Sequence, residues 1–199
     1  LAIRNERLCA LSVPSEEHWA LPGAFVAADE DLLQTARRCL HAVSPRSSAY
    51  IEQLASYGAP GRDPRQRTVS VAHLVLLPPG TTGGDGSQLD PVDELLTRPA
   101  AFDHASILSD GVERVRAKLE YSPLATALCP PEFTIAELRG VYEVVWGIPL
   151  DPRNFHRKVT GTHDFLHPTG RTTTRQGGRP ARLFRAGSAQ VLNPPMLRH

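Results

Sequence analysis

The stretch from Thr134 to Phe184 constrains the fold of this 199-residue chain more than any other feature. It opens with Thr134-Ile135-Ala136-Glu137, a capping box in which a Thr hydroxyl and a Glu carboxylate satisfy each other's helix-terminal N–H groups. Leu138, Val141, Tyr142 and Val145 follow at spacings of three and four, so a helix with one buried stripe is expected to run to Gly147. After the turn Gly147-Ile148-Pro149-Leu150, a further helix is expected from Asp151, a good N-cap, with Pro152 at its first position and an end near Thr160. Asp164 to Phe184 reads as two short strands around a tip rich in glycine and arginine, Gly170 to Gly178. Helix, turn, capped helix and basic hairpin together spell a winged helix-turn-helix.

Between Asp151 and Val159 the only large apolar residues are Phe155 and Val159, four apart and therefore on one face, which is expected to pack inward. Arg153, Asn154, His156, Arg157 and Lys158 are left for solvent. These side chains suit nucleic acid: Arg pairs bidentately with guanine, Asn with adenine, and Lys is a point charge for phosphate. The reading is a recognition helix in the major groove of double-stranded DNA. Thr134 stands at the start of the preceding helix, and Arg171, Arg175 and Arg179 of the hairpin reach the backbone or minor groove. A solvated basic helix is the plainer alternative; the capped helix before it and the basic hairpin after it favour recognition.

A formal net charge of +1 speaks against a nucleic-acid partner until its distribution is considered. Between Asp151 and Arg185 eight basic residues stand against two acidic ones, a net of +6, which leaves −5 for the rest of the chain. That outline fits a mildly acidic sensing domain joined to a phosphate-binding one. Arginine supplies 20 of the 22 basic residues, a bias that a GC-rich coding genome would also produce. Cys9, Cys39 and Cys129 are odd in number and lack Cys-x-x-Cys spacing, so neither a disulfide framework nor a zinc ribbon is indicated, and a reducing cytoplasm fits. No stretch approaches the roughly 18 consecutive apolar residues of a membrane span. Leu1 to Arg7 lack a signal-peptide core. With no initiating Met and a strand at once, natural residues are expected to precede Leu1.

The N-terminal half alternates strands and helices. A strand is expected from Arg7 to Val13, ended by Pro14, and then a helical run from Asp29 with Leu32, Leu33, Ala36 and Leu40 on one buried face. Strands follow at Ala49 to Ala55 and Thr68 to Leu77. Pro78 to Gln88, rich in glycine and proline, reads as a mobile surface loop without a motif. A long helix from His104 to Tyr121 lines up Ile107, Leu108, Val112, Val115 and Leu119 and can connect domains. Asp103 reads as its cap, and His104 is assigned no chemistry. The expected domains are 1–99, 100–186 and a tail, 187–199.

Trp19 to Pro45 resembles the Nudix family, whose hydrolases use the box Gly-x5-Glu-x7-Arg-Glu-U-x-Glu-Glu-x-Gly. Trp19-Ala20-Leu21-Pro22-Gly23-Ala24 resembles the approach to that box, with Ala24 in place of the usual second Gly. Glu30 falls on the first Glu and Arg38 on the Arg. The carboxylates that follow in the family, which hold magnesium and activate water, are here Cys39, Ala42 and Val43, and Pro45 replaces the closing Gly. A hard dication takes oxygen ligands, so no metal and no hydrolysis are expected. Further on, Gln53-Leu54-Ala55-Ser56-Tyr57-Gly58, Arg62-Asp63-Pro64-Arg65 and Leu119-Glu120-Tyr121-Ser122-Pro123-Leu124 continue the resemblance. So do Leu150-Asp151-Pro152-Arg153-Asn154-Phe155 and Gly178-Arg179-Pro180-Ala181-Arg182-Leu183-Phe184. Together, over about residues 3–185, the chain is similar to the Nudix-related transcriptional regulators typified by the bacterial NAD-metabolism repressor.

That resemblance implies an α+β fold, an N-terminal Nudix-like α/β/α sandwich followed by a C-terminal winged helix-turn-helix domain. It implies a homodimeric repressor of NAD biosynthesis or salvage genes that binds a palindromic operator and releases it on binding ADP-ribose or a related nucleotide. His156 departs from the Arg more usual in the family. For the effector, Trp19 is a candidate base stacker, Glu30 and Arg38 mark the remnant box, and Arg38, Arg62 and Arg65 are candidate phosphate ligands. Each has a plainer reading: Trp19 as core, Arg38 as the partner of Glu30, Arg62 or Arg65 closing its loop through Asp63. The alternatives are a Nudix pyrophosphohydrolase acting on ADP-ribose-like substrates, a related regulator of a sugar-utilisation pathway, and a scaffold whose winged helix binds protein.

Overall fold

A computed structural model describes residues 1–15, 18–44, 50–84, 86–175 and 179–198. The chain divides into two compact units, Leu1–Arg114 and Val115–His199.

In the first unit β2 (Arg7–Ser15) is the central strand, pairing antiparallel with β1 (Ala2–Arg4), β3 (His18–Ala20) and β6 (Gln88–Pro91). Asn5 and Glu6, both at positive φ (50° and 57°), close the β1–β2 hairpin with the two-residue turn whose twist matches that of the strands. A second hairpin, β4 (Tyr50–Tyr57) with β5 (Ser70–Leu76), carries a bulge between Gln53 and Ala55. Cys9 and Leu11 of β2 share a face and, with Leu89 of β6, Ala2 and Leu77, form a core cluster.

Against that cluster packs α1 (Leu32–Val43), which begins one residue after its N-cap Asp31. The expected buried face is corrected here. Leu32 and Leu33 are exposed, and Leu40 and Val43 make the contact, because the helix seats on the sheet only through its last turns. The glycine-rich loop after Leu77 also differs from its expectation. Gly84 N–H (2.6 Å) and the Ser87 hydroxyl (3.0 Å) donate to Val43 O, so this segment satisfies an orphan carbonyl at the end of α1. A Cβ at Gly84 would stand 3.2 Å from that carbonyl oxygen, which accounts for a glycine there. The short strands β1, β3 and β6 and the helix α2 (Val92–Thr97) escaped the sequence reading.

Helix α3 (His104–Tyr121) holds the division between the units. Its first turns are tied to β4: Asp110 accepts from the Tyr57 hydroxyl (2.8 Å) and Arg114 donates to Leu54 O (3.2 Å). The division at Arg114 lies downstream of the expected boundary at Pro99.

The second unit continues through a 3-10 turn (Pro123–Leu128), α4 (Ile135–Trp146), α5 (Pro152–Gly161), β7 (Leu166–Thr173) and β8 (Ala181–Ala186). Phe133 bridges to Phe184, adding a third short strand to the β7–β8 hairpin. Leu119, Leu138, Val145, Phe133 and Phe165 are fully buried. Arg116 and Trp146 exchange hydrogen bonds with each other's neighbourhood: Arg116 Nε donates to Val145 O (2.9 Å) and Trp146 Nε1 to Arg116 O (3.0 Å). The segment after β8 packs back on the unit, with Leu192 and Met196 buried and their N–H groups on Tyr121 O and Glu120 O. Among the described residues no helix is long and apolar enough to cross a membrane.

Candidate functional site

The capping box forms as expected: Thr134 Oγ1 accepts from Glu137 N (3.1 Å) and Thr134 N donates to Glu137 Oε2 (2.7 Å). Thr134 is buried by that role, which corrects its place among side chains offered to DNA. Gly147, at φ 71°, ends α4 in the left-handed region that a Cβ disfavours. Glu143 then sets the turn, its Oε1 accepting from Leu150 N (2.8 Å). No motif marked that carboxylate.

Asp151 caps α5, accepting from Asn154 N (2.8 Å), and Pro152 occupies the first turn. Phe155 and Val159 are buried, and the Phe155 ring meets Tyr142 edge to face at 5.4 Å. The opposite face therefore points outward. Arg153, Asn154, His156 and Arg157 are exposed and Lys158 is half-buried. Arg157 donates to Asn154 Oδ1 (3.0 Å), so two of the candidate base readers already touch.

The wing's arginines lie differently. Arg171 donates to Glu132 Oε2 (2.8 Å), and Arg175 pairs in a fork with Glu137. Arg185 reaches Glu132 Oε1 (2.7 Å). Hydrogen bonds from Arg185, with Arg171 and Arg175 close by, hold the Glu132 carboxyl below its usual range. Burial works against ionisation of Glu137, but Arg175 and the Thr134 N–H outweigh it and lower its pKa. Arg179 is exposed, and no ion pair engages it among the described residues. Residues 176–178 of the expected tip lie outside the described residues. Sequence reasoning missed Glu132 and Glu137 as partners of the wing, because the pairing spans about 40 residues.

The candidate effector residues fall into three places within the first unit. Trp19 is buried, with its indole N–H on Leu95 O (2.9 Å) and Arg98 O (3.3 Å). That is the core placement, the plainer of its two readings. Glu30 and Arg38 come together through two bonds (2.7 and 2.8 Å), with Thr35 Oγ1 adding a third to the carboxylate (2.9 Å). Hydrogen bonds from Arg38 and Thr35 lower the Glu30 pKa to about 2. The Arg62 side chain is buried and forks onto Asp103 (2.6 and 2.8 Å), which gives Asp103 an ion-pair role beyond the helix start expected of it. Arg65 pairs with Asp63 (2.9 Å) and lies over the Phe102 ring at 4.8 Å. Phe102 itself has φ 53°, a strained value for a bulky residue.

In that unit a cavity of about 240 Å³ is lined by Trp19 together with Ser12, His18, Gln88, Asp90 and Arg98, among others. Asp90 accepts a short hydrogen bond from Ser12. On α1, Cys39 is half-buried with its thiol pKa pushed up by burial, Ala42 is exposed, and Val43 lies against the core.

The family described as "NrtR DNA-binding winged helix domain" matches residues 125–186. The "ADPR responsive transcriptional repressor NtrR" of Acinetobacter baylyi is 32% identical over 179 residues, 86% of this chain and 71% of that protein. Two crystal structures of Shewanella oneidensis NrtR are also similar. One, complexed with a 27mer DNA, is 31% identical with a TM-score of 0.79, covering 93% of this chain and 89% of that one. The other is 30% identical with a TM-score of 0.84, covering 96% of this chain and 93% of that one. Likeness of sequence and of fold thus runs through both units, the Nudix-like one and the winged helix, and this chain belongs to the NrtR family of transcriptional regulators.

Proposed function

We propose that this chain is a ligand-responsive repressor, a homodimer that binds a palindromic operator through α5 and the wing. It senses ADP-ribose or a related nucleotide in its N-terminal unit and controls genes of NAD biosynthesis or salvage in the cytoplasm. The observation that carries the reading is the outward face of α5, where Phe155 and Val159 are buried and Arg153, Asn154, His156 and Arg157 are exposed. A two-fold partner supplies the second half-site that one winged helix lacks. The likeness to a repressor described as ADPR-responsive supports the effector. Arg38 in one place, and Arg62 and Arg65 in another, are each paired with a carboxylate, Glu30, Asp103 and Asp63, so a diphosphate at either place binds by displacing one anion with another.

The N-terminal unit is a sensor and not a hydrolase, because α1 offers Cys39, Ala42 and Val43 where magnesium chemistry requires carboxylates. The test is to incubate the chain with a duplex that it has selected from a random library and to add ADP-ribose, with and without magnesium. Release of the duplex with ADP-ribose left intact is the expected result. Substantial magnesium-dependent turnover would overturn it.

A further inference from the structure

Three arginines of the wing, on both of its strands and at its tip, converge on two carboxylates at the start of α4. Glu132 accepts from Arg171 of β7 through Oε2 and from Arg185 of β8 through Oε1, at 2.8 and 2.7 Å. Arg175, beyond the end of β7, forks onto Glu137 and donates a further bond to Glu132 O (2.9 Å). Between them, the Phe133–Phe184 backbone bridge stitches the same loop to β8 at 2.8 and 3.0 Å. Glu137 is itself fixed, since it closes the Thr134 capping box.

The arginines are anchored without being covered. The Arg171 and Arg185 side chains remain 69% and 64% exposed, and Arg171 engages Glu132 through one nitrogen of a guanidinium that has five donors. Carboxylate on one side and open donors on the other is the arrangement in which one anion orients a cation toward a second.

We infer that Glu132 and Glu137 are positioning residues for operator recognition, holding Arg171, Arg175 and Arg185 so that their remaining donors meet DNA phosphates. This inference rests on the proposed DNA binding and assigns to acidic residues a favourable part in it. It predicts a sign opposite to simple electrostatics. Removing a negative charge from a DNA-binding surface raises affinity for any duplex. If the carboxylates position the wing, Glu132→Ala loses operator affinity despite gaining net positive charge.

The experiment measures binding of the full chain, and of Glu132→Ala, Glu132→Gln and Glu137→Gln, to the duplex selected by the wild type and to a scrambled duplex, across a salt series. For Glu132→Ala the expected result is a loss of about tenfold on the selected duplex, a corresponding loss of about 1.4 kcal/mol, with equal or tighter binding to the scrambled one. Glu132→Gln, which keeps one acceptor, is expected to recover part of the loss. Thermal unfolding of each variant separates a wing that is misplaced from a unit that is unfolded. Parallel gains on both duplexes would show that the carboxylates only repel DNA and would overturn the inference, as would unchanged discrimination. Failure of the wild type to select any duplex would instead overturn the proposed function.

Discussion

Tyr142 sits at the centre of the winged-helix unit, fully buried, with its ring edge to face with Trp146 (4.8 Å) and Phe155 (5.4 Å). Its hydroxyl has no hydrogen-bond partner among the described residues. Burial, with the nearby Cys129 thiol adding to it, drives its pKa upward, so it is neutral at any ordinary pH. A buried hydroxyl without a partner costs about 1–3 kcal/mol of desolvation. Tyr142→Phe removes that cost and keeps both ring contacts, at the expense of a void smaller than a water molecule. The expected outcome is a gain of about 1 kcal/mol, read as a rise of roughly 4–8 °C in the unfolding midpoint of a unit the size of Val115–His199. Tyr142→Ala is the control: truncating a buried aromatic costs about 3–5 kcal/mol, and it removes the surface on which Phe155 and hence α5 rest. Differential scanning calorimetry of the full chain reads both. A loss above about 1 kcal/mol on Tyr142→Phe would refute the reasoning, because it would mean that the hydroxyl is bonded in the folded protein.

Two other outcomes follow from single contacts. His104 Nδ1 accepts the Leu21 N–H (2.9 Å), which requires a neutral ring, and burial lowers its pKa while Asp103 opposes the shift. The unfolded chain therefore takes up the proton first: this contribution to stability is complete above about pH 6.5 and falls as the pH drops through the folded pKa. Denaturant midpoints at pH 7.5 and 5.5 should show that decline in the wild type and less of it in His104→Asn, which keeps an acceptor; equal declines would contradict it. At Gly187 an added Cβ would lie 1.8 Å from Asp164 O, so Gly187→Ala should lift the C-terminal segment and expose Leu192 and Met196. A stability loss of about 2 kcal/mol or more, with faster proteolysis near the C-terminus, is expected from the apolar area released; an unchanged melting curve would rule this out.

The winged helix was legible because its signals are local. The Thr134–Glu137 box, Gly147, Asp151-Pro152 and the Phe155/Val159 pair each act within a few residues, and each took the place that local chemistry assigned. The long helix His104–Tyr121 was legible for the same reason, through its unbroken apolar stripe. What stayed hidden depends on pairing across the chain. The strands β1, β3 and β6 are three or four residues long, too short for alternation to register, and exist because β2 offers both its edges. Leu32 and Leu33 fit a helical period as well as Leu40 does, yet only the last turns of α1 reach the sheet. In the candidate sites, arginine was visible but its partner was not: Glu132, Glu137 and Asp103 each receive an arginine about 40 or more residues away.

The central claim is that α5 reads DNA. Its most direct test is fluorescence anisotropy of the selected duplex with the wild type, Arg153→Ala and Arg157→Ala across a salt series. A bidentate base contact is worth about 1–3 kcal/mol, so each variant should bind on the order of tenfold or more weakly while keeping the wild-type melting midpoint. Wild-type affinity in both variants at every salt concentration would contradict the account.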